Sequence, residues 1–239
     1  MCNHGMWAIK IGLLKRERRL GVQAALSYIS VIPVPLCLRP LSPPPLFPFF
    51  GTARTTMSLQ SKLYHPKRLV TTHDDQGKAV IEETIAPELP FYQLAENDAL
   101  FAQCYVTSGF PTQLEGDCDV KVYQEYINHP PGLTVSGGTV LRYVDIPPEK
   151  TSPMHRTVSL DYGVVLEGEG ELILDSGETR LLRRGDVCIQ RATMHSWRNT
   201  SQTEWARMLY MLQPVRPFQA AGQEVKEDYG GMQGVKSST

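Results

Sequence analysis

"SPMHRTVSLDYGVVLEGEGEL", residues 152–172, is the stretch that decides the fold. His155, Thr157, Ser159 and Asp161 are all odd-numbered, and in extended chain odd residues share one face. A straight strand rises about 3.3 Å per residue, which would leave His155 and Asp161 roughly 20 Å apart. They can serve one site only if the chain bends between them. Pro153 and the polar residues 156–159 supply a place for that bend, and Asp161 then opens the next strand. "YGVVLEG" continues as strand, and Gly168 supplies a tight turn.

The same grammar extends on both sides. "TVLRYVDIPP" reads as a strand stopped by Pro147 and Pro148. "ELILDSGETRLL" is two strands joined at Asp175-Ser176-Gly177, and "RRGDVCIQ" is a turn at Gly185-Asp186 followed by a strand. "MHSWRN" and "TEWARMLYMLQPV" complete the set. Strands recur about every 8–12 residues, the spacing of a sandwich or barrel, and no 3.6-residue period competes from Gly138 onward. Upstream, "KRLVTTHDDQGKAVIEET" reads as two strands around Asp75-Gln76-Gly77, and "ALFAQCYVTSGFP" as another ended by Gly109 and Pro111. "INHPPGLTVSGG" reads as a loop.

On these residues the region from Gly138 to Pro214 resembles a cupin, a small jelly-roll barrel. The first cupin motif, H-x-H, then E, then G, is matched by His155-Arg156-Thr157, Asp161 and Gly168. Thr157 stands where the second histidine is usual. The second motif is matched by "GDVCIQRATMHSWRN": Gly185-Asp186 at the opening turn, His195 as the histidine, Asn199 at the close. Ala192-Thr193 replace the usual proline-glycine. "MHRTVSLDYGVVLEGE", "GDVCIQRATMHSWRN" and "EWARMLYML" are similar to the single-domain cupins of fungal secondary-metabolite pathways, and the similarity spans most of residues 66–214. The resemblance implies an all-β cupin double-stranded β-helix with a β-rich N-terminal arm. It also implies pairing through sheets into a homodimer, and an oxidoreductase acting on an aromatic polyketide-like small molecule.

The carried-over site is His155, Asp161 and His195, expected to bind a divalent metal: Fe(II), with Zn or Mn as alternatives. Two imidazoles and one carboxylate leave positions open on such an ion for oxygen and substrate. Thr157 has a neutral, weakly basic hydroxyl, so binding is expected to be weaker than with four ligands. Without metal, His155 and His195 with a carboxylate between them would act as general acid and base. Arg142, Tyr143 and Gln190 are candidates to orient the substrate; the guanidinium fork suits a phenolate or carboxylate. The plain alternatives are a buried polar pair that pins the barrel mouth, a satisfied core histidine at 195, and core roles for Trp197 and Trp205. Two rival functions stay open: a lyase or isomerase, and a non-catalytic binding cupin whose ligand set has decayed.

Composition bounds the rest. The chain has 239 residues and a formal charge of −1, so no global charge points to nucleic acid or acidic membranes. Five cysteines, odd in number and without metal-type spacing, suit a reduced, cytoplasmic setting. Residues 1–56 hold seven Lys/Arg and one acid, Glu17. Leu20 to Leu38 carries no charge after Arg18-Arg19, like a signal h-region, a weak membrane span or a transit peptide. Pro33, Pro35 and "LSPPPLFPFF" break any helix there. The expected organisation is a disordered or targeting leader over 1–56, with the native start near Met57, an arm over 57–136, the barrel over 137–216 and a disordered tail over 217–239.

Overall fold

The computed structural model describes residues 59–93, 99–232 and 234–238; the leader lies outside the described residues. The chain divides into two units, Met1–Thr56 and Met57–Thr239, and every element named below belongs to the second. Its strands are β1 (Thr71–His73), β2 (Ala79–Ile81), β3 (Tyr92–Gln93), β4 (Leu100–Thr107), β5 (Thr139–Ile146), β6 (Ser159–Glu167), β7 (Glu169–Leu174), β8 (Thr179–Arg183), β9 (Val187–Arg191), β10 (His195–Arg198), β11 (Ala206–Pro214), β12 (Gln219–Ala220) and β13 (Gln223–Glu224). One helix, α1 (Cys118–Asn128), precedes β5. Six strands form one sheet in the order β3-β4-β5-β11-β6-β9, and a second sheet is ordered β10-β7-β8. All pairings in these two sheets are antiparallel. The all-β jelly-roll expectation holds.

Alternation sorts the six-stranded sheet into two faces. On β6, Ser159, Asp161, Gly163 and Val165 are buried, while Tyr162 is exposed. On β5 and β11 the inward set includes Val140, Arg142, Ile146, Met208, Tyr210 and Leu212. With Trp197 of β10 these make the core between the sheets. Gly163 is required here, because a Cβ would meet the Tyr210 ring at 2.9 Å.

Among the described residues, the outer face is covered on one half only. Leu89 and Phe91 of the arm pack there with Ala102, Cys104, Leu141 and Tyr143. Beside them Arg207 and Asp145, both buried, form a two-bonded ion pair with Nε–Oδ1 and Nη2–Oδ2 at 2.6 Å. Arg207 Nη1 donates to the Tyr64 carbonyl at 2.5 Å, and its guanidinium stacks near the rings of Phe91 and Tyr143. The ion pair thus fastens the arm to the sheet.

Two segments differ from the sequence reading. The arm contains α1, which buries only Val120 and Tyr123 against the strands. The C-terminal residues are structured. β12 pairs with β13, and Val225 is buried. Arg156 and Asp228 exchange backbone hydrogen bonds of 2.6 and 2.9 Å. Gly230 runs so close to Met154 that a Cβ would lie 2.2 Å from its carbonyl oxygen. The tail therefore backs the 153–156 loop that carries His155.

Removing one member of a buried ion pair leaves the other uncompensated. Arg207→Leu is expected to lower the unfolding free energy by roughly 3–5 kcal/mol in guanidinium denaturation. It is also expected to expose residues 59–93 to limited proteolysis, which Arg180→Leu on the exposed β8 should not do. The double change Arg207→Leu with Asp145→Leu should recover most of the stability loss.

Candidate functional site

The inner face of the six-stranded sheet and strand β10 enclose a cavity of about 220 Å³. β5 contributes Arg142, Val144 and Ile146; β6 contributes Asp161; β9, Gln190; β10, His195 and Trp197; β11, Tyr210 and Leu212. The loop before β6 brings His155 and Thr157, and Met232 and Val235 of the tail close one side. The bend inferred before Asp161 is present. His155 forms an isolated antiparallel bridge with His195, each accepting the other's backbone N–H at 2.8–2.9 Å. Their rings lie 4.3 Å apart between centroids.

The hydrogen bonds fix each ring's tautomer. His155 Nδ1 sits 2.8 Å from the Pro153 carbonyl, and His195 Nδ1 2.9 Å from the Thr193 carbonyl. A carbonyl only accepts, so both Nδ1 atoms carry the proton and each neutral ring keeps its lone pair on Nε2. At His195 that lone pair is used. Gln190 Nε2 lies 3.0 Å from His195 Nε2 and donates to it. The amide cannot be turned over, because Trp197 Nε1, a donor only, lies 2.7 Å from Gln190 Oε1. The other Gln190 N–H goes to Asp161 Oδ2 at 3.1 Å. Asp161 also accepts from Thr157 at 3.2 Å and from Ser159. His155 Nε2 has no hydrogen-bond partner among the described residues.

This arrangement separates the expected metal set. Ligand atoms sit about 2.0–2.2 Å from a bound ion and must share one centre. Here the Gln190 N–H stands between the carboxylate and the His195 lone pair, and no group of three His, Cys, Asp or Glu among the described residues is placed to hold a metal. His155, Asp161 and His195 line one cavity, yet they do not fit an ion as a three-ligand site. Tyr143 is a second correction. It follows Arg142 on a strand, so it faces the opposite side, under Arg207 and among the arm residues. Arg142 and Gln190 do face the cavity, Gln190 as the organiser of its polar end. Tyr210 and Trp197 also line it; the sequence alone assigns Tyr210 no role and Trp197 a place in the core. The signal for both is parity with Leu212 and His195 on their own strands.

Burial sets the charges. Desolvation lowers the pKa of His155, its bond to Pro153 opposing. Desolvation, then the neighbouring His155, lowers His195 to about 4, its bond to Thr193 opposing. Both rings are therefore neutral near pH 7. Desolvation raises Asp161, with Ser159, Thr157, Gln190 and Arg142 pulling the other way. Ala192, just before the turn to His195, sits at φ 51°, a left-handed conformation that glycine would take with less strain.

The lowered His195 value has a definite sign in folding. Between pH 6.5 and about 4 the unfolded chain binds a proton at this residue that the folded chain refuses. Its contribution to stability is complete above pH 6.5 and is lost as pH falls toward 4, by roughly 3 kcal/mol. Asp161, shifted up, acts with the opposite sign: its contribution is complete below 3.8 and is lost as pH rises through its raised value. The expected result is that the pH 7-to-4.5 drop in unfolding free energy shrinks in His195→Asn. NMR of the imidazole nitrogens should show His195 neutral, with the proton on Nδ1, down to about pH 5.

Comparison with known proteins identifies the family. The cupin-domain family matches residues 142–211, which hold every polar residue of the cavity's inner end. Phomopsin biosynthesis cluster protein C' of Diaporthe leptostromiformis is 42% identical over 174 residues, 73% of this chain and 89% of that protein. The cupin-domain-containing oxidoreductase virC of Hypocrea virens is 42% identical over 154 residues, covering 63% of this chain and 77% of that protein. The cupin-domain-containing oxidoreductase srdB of Neurospora crassa is 38% identical over 168 residues, covering 70% and 83%. With two motif regions converging on one cavity and relatives that align over most of their length, the chain belongs to the cupin-domain family, in the company of fungal biosynthesis-cluster proteins.

Proposed function

We propose that the protein is a small-molecule oxidoreductase of secondary metabolism, acting on an aromatic polyketide-like intermediate, with His155 as the base that removes a proton from it. The observation that carries the reading is the asymmetry of the imidazole pair. Both rings are neutral and both keep a lone pair on Nε2, but only His155 Nε2 is uncommitted among the described residues. The names of virC and srdB as oxidoreductases support oxidation as the class. Deprotonation of an acidic O–H or C–H gives an electron-rich aromatic or enol, whose two-electron oxidation delivers two electrons and two protons to dioxygen from solution as hydrogen peroxide; a positioned base contributes about 10²–10⁴-fold to the proton transfer. Gln190 and Asp161 then act as positioning residues, holding His195 against the bridge that places His155.

The metal-dependent form, with Fe(II), Zn or Mn, would require Gln190 to leave His195 and Asp161 to turn from Ser159 and Thr157. The bonds that the residues make oppose it. A second reading, a proton-shuffling isomerase or lyase, is favoured by the same neutral pair and shares the first step. No helix among the described residues is long and apolar enough to cross a membrane.

A homodimer is part of the proposal. On the half of the outer sheet face that no described residue of the arm covers, Met211, Tyr162 and Ile189 lie side by side across three strands, all exposed, with Val187 beyond. Monomers seldom leave such an apolar row at a sheet edge uncovered. A second copy would cover it.

Deleting the encoding gene is expected to make an aromatic intermediate accumulate, and the purified protein to consume it. His155→Ala should slow consumption by at least about 100-fold. His155→Ala acting as fast as the parent would refute the assignment. Oxygen uptake matching turnover marks oxidation; turnover without it, with solvent deuterium entering the product, marks the isomerase. Activity that survives chelator treatment is expected, and its loss with recovery on adding Fe(II) would restore the metal. By light scattering, Ile189→Glu should convert a dimer to a monomer; a monomeric parent would dispose of the interface.

A further inference from the structure

Among the described residues two arginines are buried at less than a tenth exposed, and they are treated differently. Arg207, on the outer face, is matched by Asp145 with two short bonds. Arg142, in the cavity, has no ion pair among the described residues. Its Nη2 donates to the carbonyls of Gly132 and Leu133 at 3.1 and 3.0 Å, and its Nε–H has no partner there. The acid that shares the cavity with it is Asp161, whose oxygens are already engaged by Ser159, Thr157 and Gln190. The two carbonyls aim the guanidinium but do not neutralise it. An unpaired buried cation is among the costlier features a fold can carry. Neutral donors would have sufficed to tie down the loop at 132–133. Phe101, Val144 and Leu212 give the cavity an apolar wall beside Arg142, the Tyr210 ring lies with them, and Lys150 also lines the cavity.

We infer that the cavity is built for a small aromatic anion, whose planar oxyanion, a carboxylate or phenolate, is the counter-ion missing from Arg142 and whose ring lies against that apolar wall. This deepens the proposed function and rests on the cavity's being the reaction site. The anion end anchors the molecule at β5, and the reacting atom is thereby presented to His155 across the cavity. Desolvation disfavours charge on Arg142, with Tyr92, Asp161, Tyr229 and Cys104 pulling the other way, so an arriving anion gains a partner poorly screened by water.

The test uses the full chain and three probes of similar shape: benzoate, 4-nitrophenolate at pH 8, and neutral benzamide. Calorimetry reads binding. At least one anion is expected to bind ten-fold or more tightly than benzamide, which one deciding between carboxylate and phenolate. Arg142→Met is expected to remove that preference while leaving benzamide unchanged, with Arg142→Lys in between. Equal binding of all three probes, no binding of either anion, or an anion preference that survives Arg142→Met would overturn the inference. The comparison among probes in the unmodified protein stands even where Arg142→Met fails to fold. His155→Ala separates the two claims: it should abolish turnover and keep the anion preference. Lost turnover without any anion preference would sink this inference alone; a preserved preference with unchanged turnover would sink the proposed function alone.

Discussion

The site depends on one side-chain amide whose orientation is forced. Trp197 has a single N–H and no acceptor, so Gln190 must turn its oxygen to the indole and its nitrogen the other way. The two N–H bonds that remain are then directed at His195 and Asp161. This one constraint commits one imidazole, leaves the other free, and separates the carboxylate from His195. A glutamate at 190 would repel Asp161 and leave His195 without its donor. The amide is the neutral group that satisfies both neighbours at once.

The scaffold allows this because a single sheet serves two different interiors. Its inner face carries cavity residues from β5, β6, β9 and β11. Its outer face carries the arm on one half and an exposed apolar row on the other. Arg142 and Arg207 sit on neighbouring strands of this sheet, on opposite faces. The outer one is paired, holds the arm and contributes to the fold. The inner one is aimed by backbone carbonyls and left without a counter-charge. Opposite treatment of the same residue type within one sheet separates a structural role from a ligand-facing one.

Much of this is legible from residues alone, for local reasons. Glycine turns and two-residue alternation are visible in "SLDYGVVLEGEGEL", so the strands and the inward direction of Asp161 can be read there, as can the need for a bend after His155. What is not legible is non-local or weakly patterned. α1 buries just Val120 and Tyr123, spaced by three with another apolar residue, Val122, between them, and carries no side-chain cap to announce it. The order of the tail comes from bonds to residues about seventy positions away. Tyr143 is different: Arg142 and Tyr143 are adjacent on one strand, and alternation alone forbids both from facing the cavity. Gln190 is legible as a cavity residue, but its part as organiser depends on Trp197, on another strand of the other sheet.

The two departures from the usual cupin motifs, at Thr157 and at Ala192-Thr193, fit the bonds around Gln190. Thr157, in the place of a histidine, gives Asp161 a hydroxyl donor, and Ser159 gives it a second. Ala192 takes the left-handed backbone a glycine would take, so the turn that delivers His195 survives the loss of proline-glycine. Gln190 fills the space between carboxylate and imidazole. A site in decay accumulates polar groups without partners, because nothing selects for their repair. Here the carboxylate, the amide, the indole and one imidazole are all satisfied. Among the described residues lining the cavity, the buried polar atom without a partner is Arg142 Nε, and the imidazole lone pair left over is on His155. Arg142, without an ion pair among the described residues, and His155, with its uncommitted lone pair, both line the cavity, which favours a rebuilt site over an abandoned one.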